Sequence, residues 1–178
     1  MKVVGLVGTV TGEKTRMVMD VVMDIVRKTY PDAETILLDL ARLNVVFCDG
    51  RPYEKYEGDT KLLIDAILEA DGLLIGTPVF QASIPGALKN VFDLLPPGAL
   101  EGKVAAIVVT AGTAKHYLVA EYHLKPILVY LKAQIVSNFV FIEEKDFQQN
   151  KMNNEEVLKR LEQLVKEIGT CLKQRSWL

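Results

Sequence analysis

Short apolar runs alternate with longer amphipathic ones along this chain, and that alternation limits what it can fold into. The run KVVGLVG (2–8) is apolar at consecutive positions, the pattern of a strand covered on both faces. Over 13–28, Met17, Val18, Val21, Val22, Ile25 and Val26 fall at helical spacing. AETILLDL (33–40) predicts a second strand, and 41–58, rich in Arg, Asp, Gly, Pro and Tyr, a long loop. A helix over 60–70 leads to the strand GLLIG (72–76). A helix over 85–95 places Leu88, Val91, Phe92 and Leu95 on one face and stops at Pro96-Pro97-Gly98. KVAAIVVT (103–110), a helix over 114–132 and the strand AQIVSNFVFI (133–142) follow. Asn153 or Asn154, ahead of Glu155 and Glu156, N-caps a last helix near 154–173.

Five strands alternating with five helices define an α/β protein with a five-stranded parallel sheet. Right-handed crossovers put helices on both faces, which makes a three-layer sandwich. The 178 residues fit one domain, 1–178, without linker or repeat. A net charge of −2 gives no reason to expect nucleic acid or an anionic membrane as partner. No apolar run reaches the ~20 residues needed to span a bilayer. The first residues lack the pattern of a signal peptide. Cys48 and Cys171 are far apart and in no metal-ligand spacing, as free thiols of a reducing compartment would be. A cytoplasmic protein is expected.

With strand order 2-1-3-4-5, ligands bind beyond the strand C-termini at the switch between strands 1 and 3. The turns that matter are then GTVTGEKTR, TPVFQASIPG and TAGTAKH. In the first, Thr9, Thr11 and Thr15 offer hydroxyls, Gly12 lets amides turn inward, and Lys14 and Arg16 add positive charge at a helix start. It nearly spells a P-loop, but Glu13 stands where the second glycine must be. A mononucleotide phosphate needs a smaller cradle. In the second turn Pro78 fixes the backbone, Val79 and Phe80 give apolar contact, and Ser83 can cap the next helix. In the third, Thr110, Ala111 and Gly112 allow close approach, Thr113 can cap, and His116 sits in the following first turn. Three such turns at one sheet edge predict a mononucleotide with a planar ring, FMN.

The segments GTPVFQASIPGALKNVFDLLP (76–96) and AGTAKHYLVAEYHLKPILVYLKAQ (111–134) carry a further likeness. In them the chain resembles the NADPH-dependent FMN reductase family, over about residues 1–146. It is most similar to the group that supplies reduced FMN to two-component alkanesulfonate monooxygenases. The resemblance implies a flavodoxin-like fold. It implies that Thr9, Thr11, Lys14 and Thr15, with Arg16, hold the phosphate. It implies that Pro78, Val79 and Phe80 touch the isoalloxazine, with Ser83 nearby, and that Thr110 to Thr113 line its other edge.

The chemistry implied is hydride transfer from NADPH or NADH to FMN, with the cofactor carrying the reaction and no general acid or base among the side chains. His116 and Tyr122 are the polar groups of first interest. An azo or quinone reductase on the same scaffold, or a flavodoxin-like electron carrier, is the alternative. The carrier's paired Trp/Tyr sandwich has no obvious counterpart in these loops, although Tyr53 and Tyr56 could approach from 41–58 and Trp177 lies at the far end. The predicted helix 114–132 is apolar almost all round, so a homodimer or homotetramer built through it is expected. Pro126 denies the carbonyl of Tyr122 its helical partner, so a kink or bulge is expected there.

Overall fold

The structure, a computed structural model, describes residues 1–148, 151–152 and 154–175. Strands β1 (Lys2–Val7), β2 (Glu34–Asp39), β3 (Gly72–Pro78) and β4 (Val104–Ala111) run parallel in the order β2-β1-β3-β4. The expected last strand is in two pieces, β5 (Gln134–Ile135) and β6 (Val140–Glu143), which both pair with β4. Ile135 pairs with Ala105 and Val140 with Val108, so two extra residues loop out of the edge between them. The sheet order 2-1-3-4-5 is therefore as expected, with its fifth strand interrupted.

Side chains of successive strand residues leave on opposite faces, so each strand feeds two hydrophobic layers. Val3, Val7, Leu74, Ala106 and Val108 pack with helices α1 (Lys14–Thr29) and α5 (Glu155–Arg175). Val4, Leu6, Leu73, Ile75, Ala105 and Ile107 pack with α2 (Gly58–Glu69), α3 (Gly86–Leu94) and α4 (Lys125–Tyr130). Burial on both faces explains why these strands are continuously apolar. Asn154 is the cap of α5: its Oδ1 accepts the N–H groups of Glu156 at 3.0 Å and Val157 at 3.4 Å. The expectations placed on Asn153 and Trp177 lie outside the described residues.

The single helix expected over 114–132 is not observed. Residues Ala114–His116 form a 3-10 turn, Ala120–Leu124 a π-helical stretch, and only α4 is α-helical. In the π stretch the Lys125 N–H reaches the Ala120 carbonyl, one residue further back than in an α-helix. The widening sits immediately ahead of Pro126, whose missing N–H would have met Tyr122 in regular α-helix. The bulge thus falls where the proline led one to expect it.

After β6 the chain makes a 3-10 turn, Glu144–Asp146, and a short antiparallel pair, β7 (Phe147–Gln148) with β8 (Lys151–Met152). Sequence periodicity had not indicated either. Asp146 is buried and accepts the Glu143 N–H at 2.8 Å and the Asn154 Nδ2 at 2.7 Å, tying this turn to the start of α5. In the 41–58 loop Tyr56 is buried in the core and hydrogen-bonded to Asp49, and Tyr53 packs against the same cluster. Neither is placed to approach from a loose loop.

Candidate functional site

The C-terminal ends of β1, β3 and β4 open on one cavity of about 510 Å³. That size suits a small ligand. Its position follows from topology. β1 and β3 are neighbours whose crossovers leave in opposite directions, so the loops after them diverge and leave a crevice. Close contact of the strands supports it: the Gly8 N–H donates to the Gly76 carbonyl at 2.7 Å.

Thr11, Gly12, Glu13, Lys14 and Thr15 line one end, at the start of α1. Gly12 has φ +82°, a conformation that favours glycine. Glu13 occupies the N-cap position, and no described side chain caps the helix there. The first amides of a sixteen-residue helix therefore border the cavity, with the positive end of its dipole. This end can hold an anion.

Pro78, Val79 and Phe80 form an apolar wall. Phe80 is 40% exposed. It begins a tight turn with Ser83, joined by reciprocal backbone bonds of 2.9 and 3.0 Å. Gln81 and Ala82 between them have φ +49° and +59°, the left-handed region that non-glycine residues seldom enter. Thr110, Ala111 and Gly112 form the opposite wall. A Cβ on Gly112 would meet nothing within 4 Å, so the backbone there is open to a flat ligand.

Several expected residues stand elsewhere or act otherwise. Thr9 is buried, and its hydroxyl donates to the Thr11 carbonyl at 2.7 Å and accepts the Thr11 N–H at 3.2 Å. It shapes the loop and does not line the cavity. The Thr15 hydroxyl is 2.7 Å from that of Thr110, buried between β4 and α1. Arg16 lies outside the cavity lining. It bonds Asp20 at 2.9 Å and the buried Asp39 at 2.7 Å, and these carboxylates, Asp20 first, hold its pKa above the ordinary value. Ser83 does not cap α3, whose N-cap position is Pro85; its hydroxyl is 2.9 Å from His123 Nδ1. Thr113 does cap, accepting the Lys115 N–H at 3.4 Å, but neither it nor His116 lines the cavity.

Met17, Glu144 and Phe147 line the cavity and were not anticipated. Glu144 is ion-paired with Lys14, and the Lys14 ammonium lies 5.4 Å from the Phe147 ring centre. The order 2-1-3-4-5 held the available signal, since it puts the end of the fifth strand beside that of the fourth. The pairing of Glu143 with Ala111 realises that neighbourhood. Among the described residues no group of three or more His, Cys, Asp or Glu could hold a metal ion. No described helix is long and apolar enough to cross a membrane.

A parallel sheet in this order, with its crevice at the strand ends, defines a flavodoxin-like α/β protein. Residues 1–148 match the family model described as NADPH-dependent FMN reductase, and the chain belongs to that family. It is 41% identical over 169 residues to a protein of Geobacillus thermodenitrificans named NAD(P)H-dependent FAD/FMN reductase, covering 94% of this chain and 91% of that one. Its fold is similar to that of an NADH:FMN oxidoreductase in apo form, with TM-score 0.80 and 23% identity, covering 96% of this chain and 89% of the other. It is also similar to a flavodoxin of Streptococcus pneumoniae, with TM-score 0.64 and 17% identity, covering 96% of this chain and 99% of that one.

Proposed function

We propose that this protein is an NAD(P)H-dependent FMN reductase that binds FMN in the cavity at the ends of β1, β3 and β4. The observation that carries the reading is the joining, in one cavity, of an uncapped helix N-terminus with two walls suited to a flat ring. The phosphate would lie on the amides of Thr11 to Thr15, with the Lys14 ammonium beside it. Thr9 keeps that loop in shape through its own hydroxyl. Pro78, Val79 and Phe80 would contact the ring on one side and Thr110, Ala111 and Gly112 on the other. When bound, the flavin supplies the redox chemistry, accepting hydride at N5 from the nicotinamide C4. The chain's part is to position the two rings, and backbone donors near the flavin pyrimidine would offset the charge that develops.

The half-exposed Phe80 leaves room for a nicotinamide to stack, which favours a reductase over a carrier that shields its flavin. Quinones or azo compounds could serve as the second acceptor with the same first step. The exposed apolar side chains of Tyr117, Leu118, Tyr122, Val129 and Tyr130 support a homodimer or homotetramer through residues 117–130. A cytoplasmic location, and delivery of reduced flavin to a flavin-dependent monooxygenase, complete the proposal.

The test is anaerobic mixing of the protein and FMN with NADPH or NADH. The visible flavin absorbance should fall at about 1–100 turnovers per second. If neither nucleotide bleaches the flavin within minutes while dithionite does, the reductase reading fails.

A further inference from the structure

Among the described residues lining the cavity, the charged side chains are Glu13, Lys14 and Glu144. Lys14 is the one cation, and it is already ion-paired with Glu144. The next cation along, Arg16, is engaged by Asp20 and Asp39. A phosphate at the start of α1 therefore meets helix amides and a matched lysine, with two carboxylates close by.

Glu144 is held in that place by the fold. Its 3-10 turn is capped by the Glu143 side chain, and Asp146 secures it to Glu143 and Asn154. The Glu144 side chain itself is 62% exposed, and its pair with Lys14 contributes little to stability for that reason. A well-anchored turn thus carries a weakly stabilising carboxylate to the phosphate end of the cavity.

We propose that Glu144 sets how long the flavin phosphate stays, by competing with it for Lys14 and repelling it once bound. The inference rests on the reading of this cavity as the FMN site. Riboflavin, which has no phosphate, escapes the effect.

The experiment titrates the full chain and its Glu144→Gln and Glu144→Lys variants with FMN and with riboflavin, following flavin fluorescence. Stopped-flow displacement then gives the FMN dissociation rate. Removing one negative charge near the phosphate should lower the Kd for FMN by about three- to thirtyfold in Glu144→Gln. Glu144→Lys should lower it further, dissociation should slow in the same order, and riboflavin affinity should stay unchanged. The gain should shrink as salt is added. Unchanged FMN affinity across the charge series overturns the inference and leaves the site assignment standing. Equal changes for FMN and riboflavin also overturn it, since Glu144 would then act through the shape of the cavity. If neither flavin binds any of the three proteins, the flavin reading itself falls, and the inference with it.

Discussion

The central strands of the sheet and the segment between β4 and β5, residues 113–130, have similar apolar content and opposite fates. In β1, β3 and β4 nearly every apolar side chain is buried, because a helical layer covers each face. In 113–130, Val119, Ala120, Leu124 and Leu128 are buried, while Tyr117, Leu118, Tyr122, Val129 and Tyr130 are exposed. Tyr122 is 71% exposed and Tyr130 77%. Composition does not separate the two regions. What separates them is whether the chain itself supplies something to pack on each side. The segment has one inward face, against the sheet, and an outward face that no other part of the described chain covers.

That contrast is strongest between two residues two positions apart, Leu128 and Tyr130. Leu128 is fully buried, so Leu128→Ala should destabilise the fold by about 2–4 kcal/mol in urea unfolding. Tyr130→Ala, in the chain diluted until monomeric, should change stability by less than about 0.5 kcal/mol. At micromolar concentration Tyr130→Ala should instead shift the particle mass by light scattering. A cost below about 1 kcal/mol for Leu128→Ala would mean that the segment is not part of the core at all.

The next effect tests the sheet where it meets the site. A Cβ on Gly8 would lie 2.9 Å from the Gly76 carbonyl oxygen and 2.8 Å from Leu88 Cδ2. The carbonyl belongs to a central strand and cannot give way as a side-chain end would. Gly8→Ala should therefore cost about 1–3 kcal/mol. It should weaken flavin binding too, because the loop that leaves β1 would have to move. A variant of full stability and unchanged flavin affinity would show that the strand ends are looser than their contacts indicate.

A hydroxyl pair gives a smaller effect. Thr15 and Thr110 bond each other between α1 and β4, both buried. Thr15→Ala leaves the Thr110 hydroxyl without that partner and should cost about 1–2 kcal/mol of stability. Lys14→Ala should act differently, weakening FMN but not riboflavin. A Thr15→Ala protein of wild-type stability that lost only FMN affinity would return Thr15 to the phosphate.

The difference between the two regions also explains what was legible in the sequence. Strand runs such as KVVGLV and VAAIVVTA declare double-sided burial directly, and with the order 2-1-3-4-5 for five strands the three site-forming turns followed. Lys14, Pro78, Phe80 and Gly112 were reached that way. Thr9, Thr15 and Arg16 lie in the expected loop, and their side chains have partners within the chain. Their hydroxyls and guanidinium are taken by partners such as Thr110 and Asp39, which no local pattern announces. Glu144 and Phe147 depend on Asp146 finding Asn154 across β7 and β8, a contact between polar residues without periodicity. The interrupted fifth strand was hidden because VSNF reads as extended chain in either arrangement.

The smallest expected effect concerns the one irregularity in 113–130 that the sequence did signal. Helical periodicity of apolar residues cannot distinguish α from π winding over a single turn, but a proline can mark where the change falls. Lys125 bonds back to Ala120, and α4 starts at that same lysine with Pro126 in its first turn. Pro126→Ala restores an N–H that can reach the Tyr122 carbonyl. If the proline causes the widening, the variant should gain regular α-helical bonding over 120–126. Hydrogen exchange at residue 126 should then show protection, and helical circular dichroism should rise slightly. Stability should change by less than about 1 kcal/mol, because the recovered bond and the lost rigidity of proline oppose each other. Regular winding would turn the side chains before residue 125 by about 100° relative to those after it, since one residue is the surplus that π winding absorbs. The exposed Tyr122 side chain would then point in a new direction, and the proposed self-association should weaken. If the π stretch persists in the variant, with Lys125 still bonded to Ala120, its cause lies in the packing of Ala120 and Leu124 against the sheet and not in the proline.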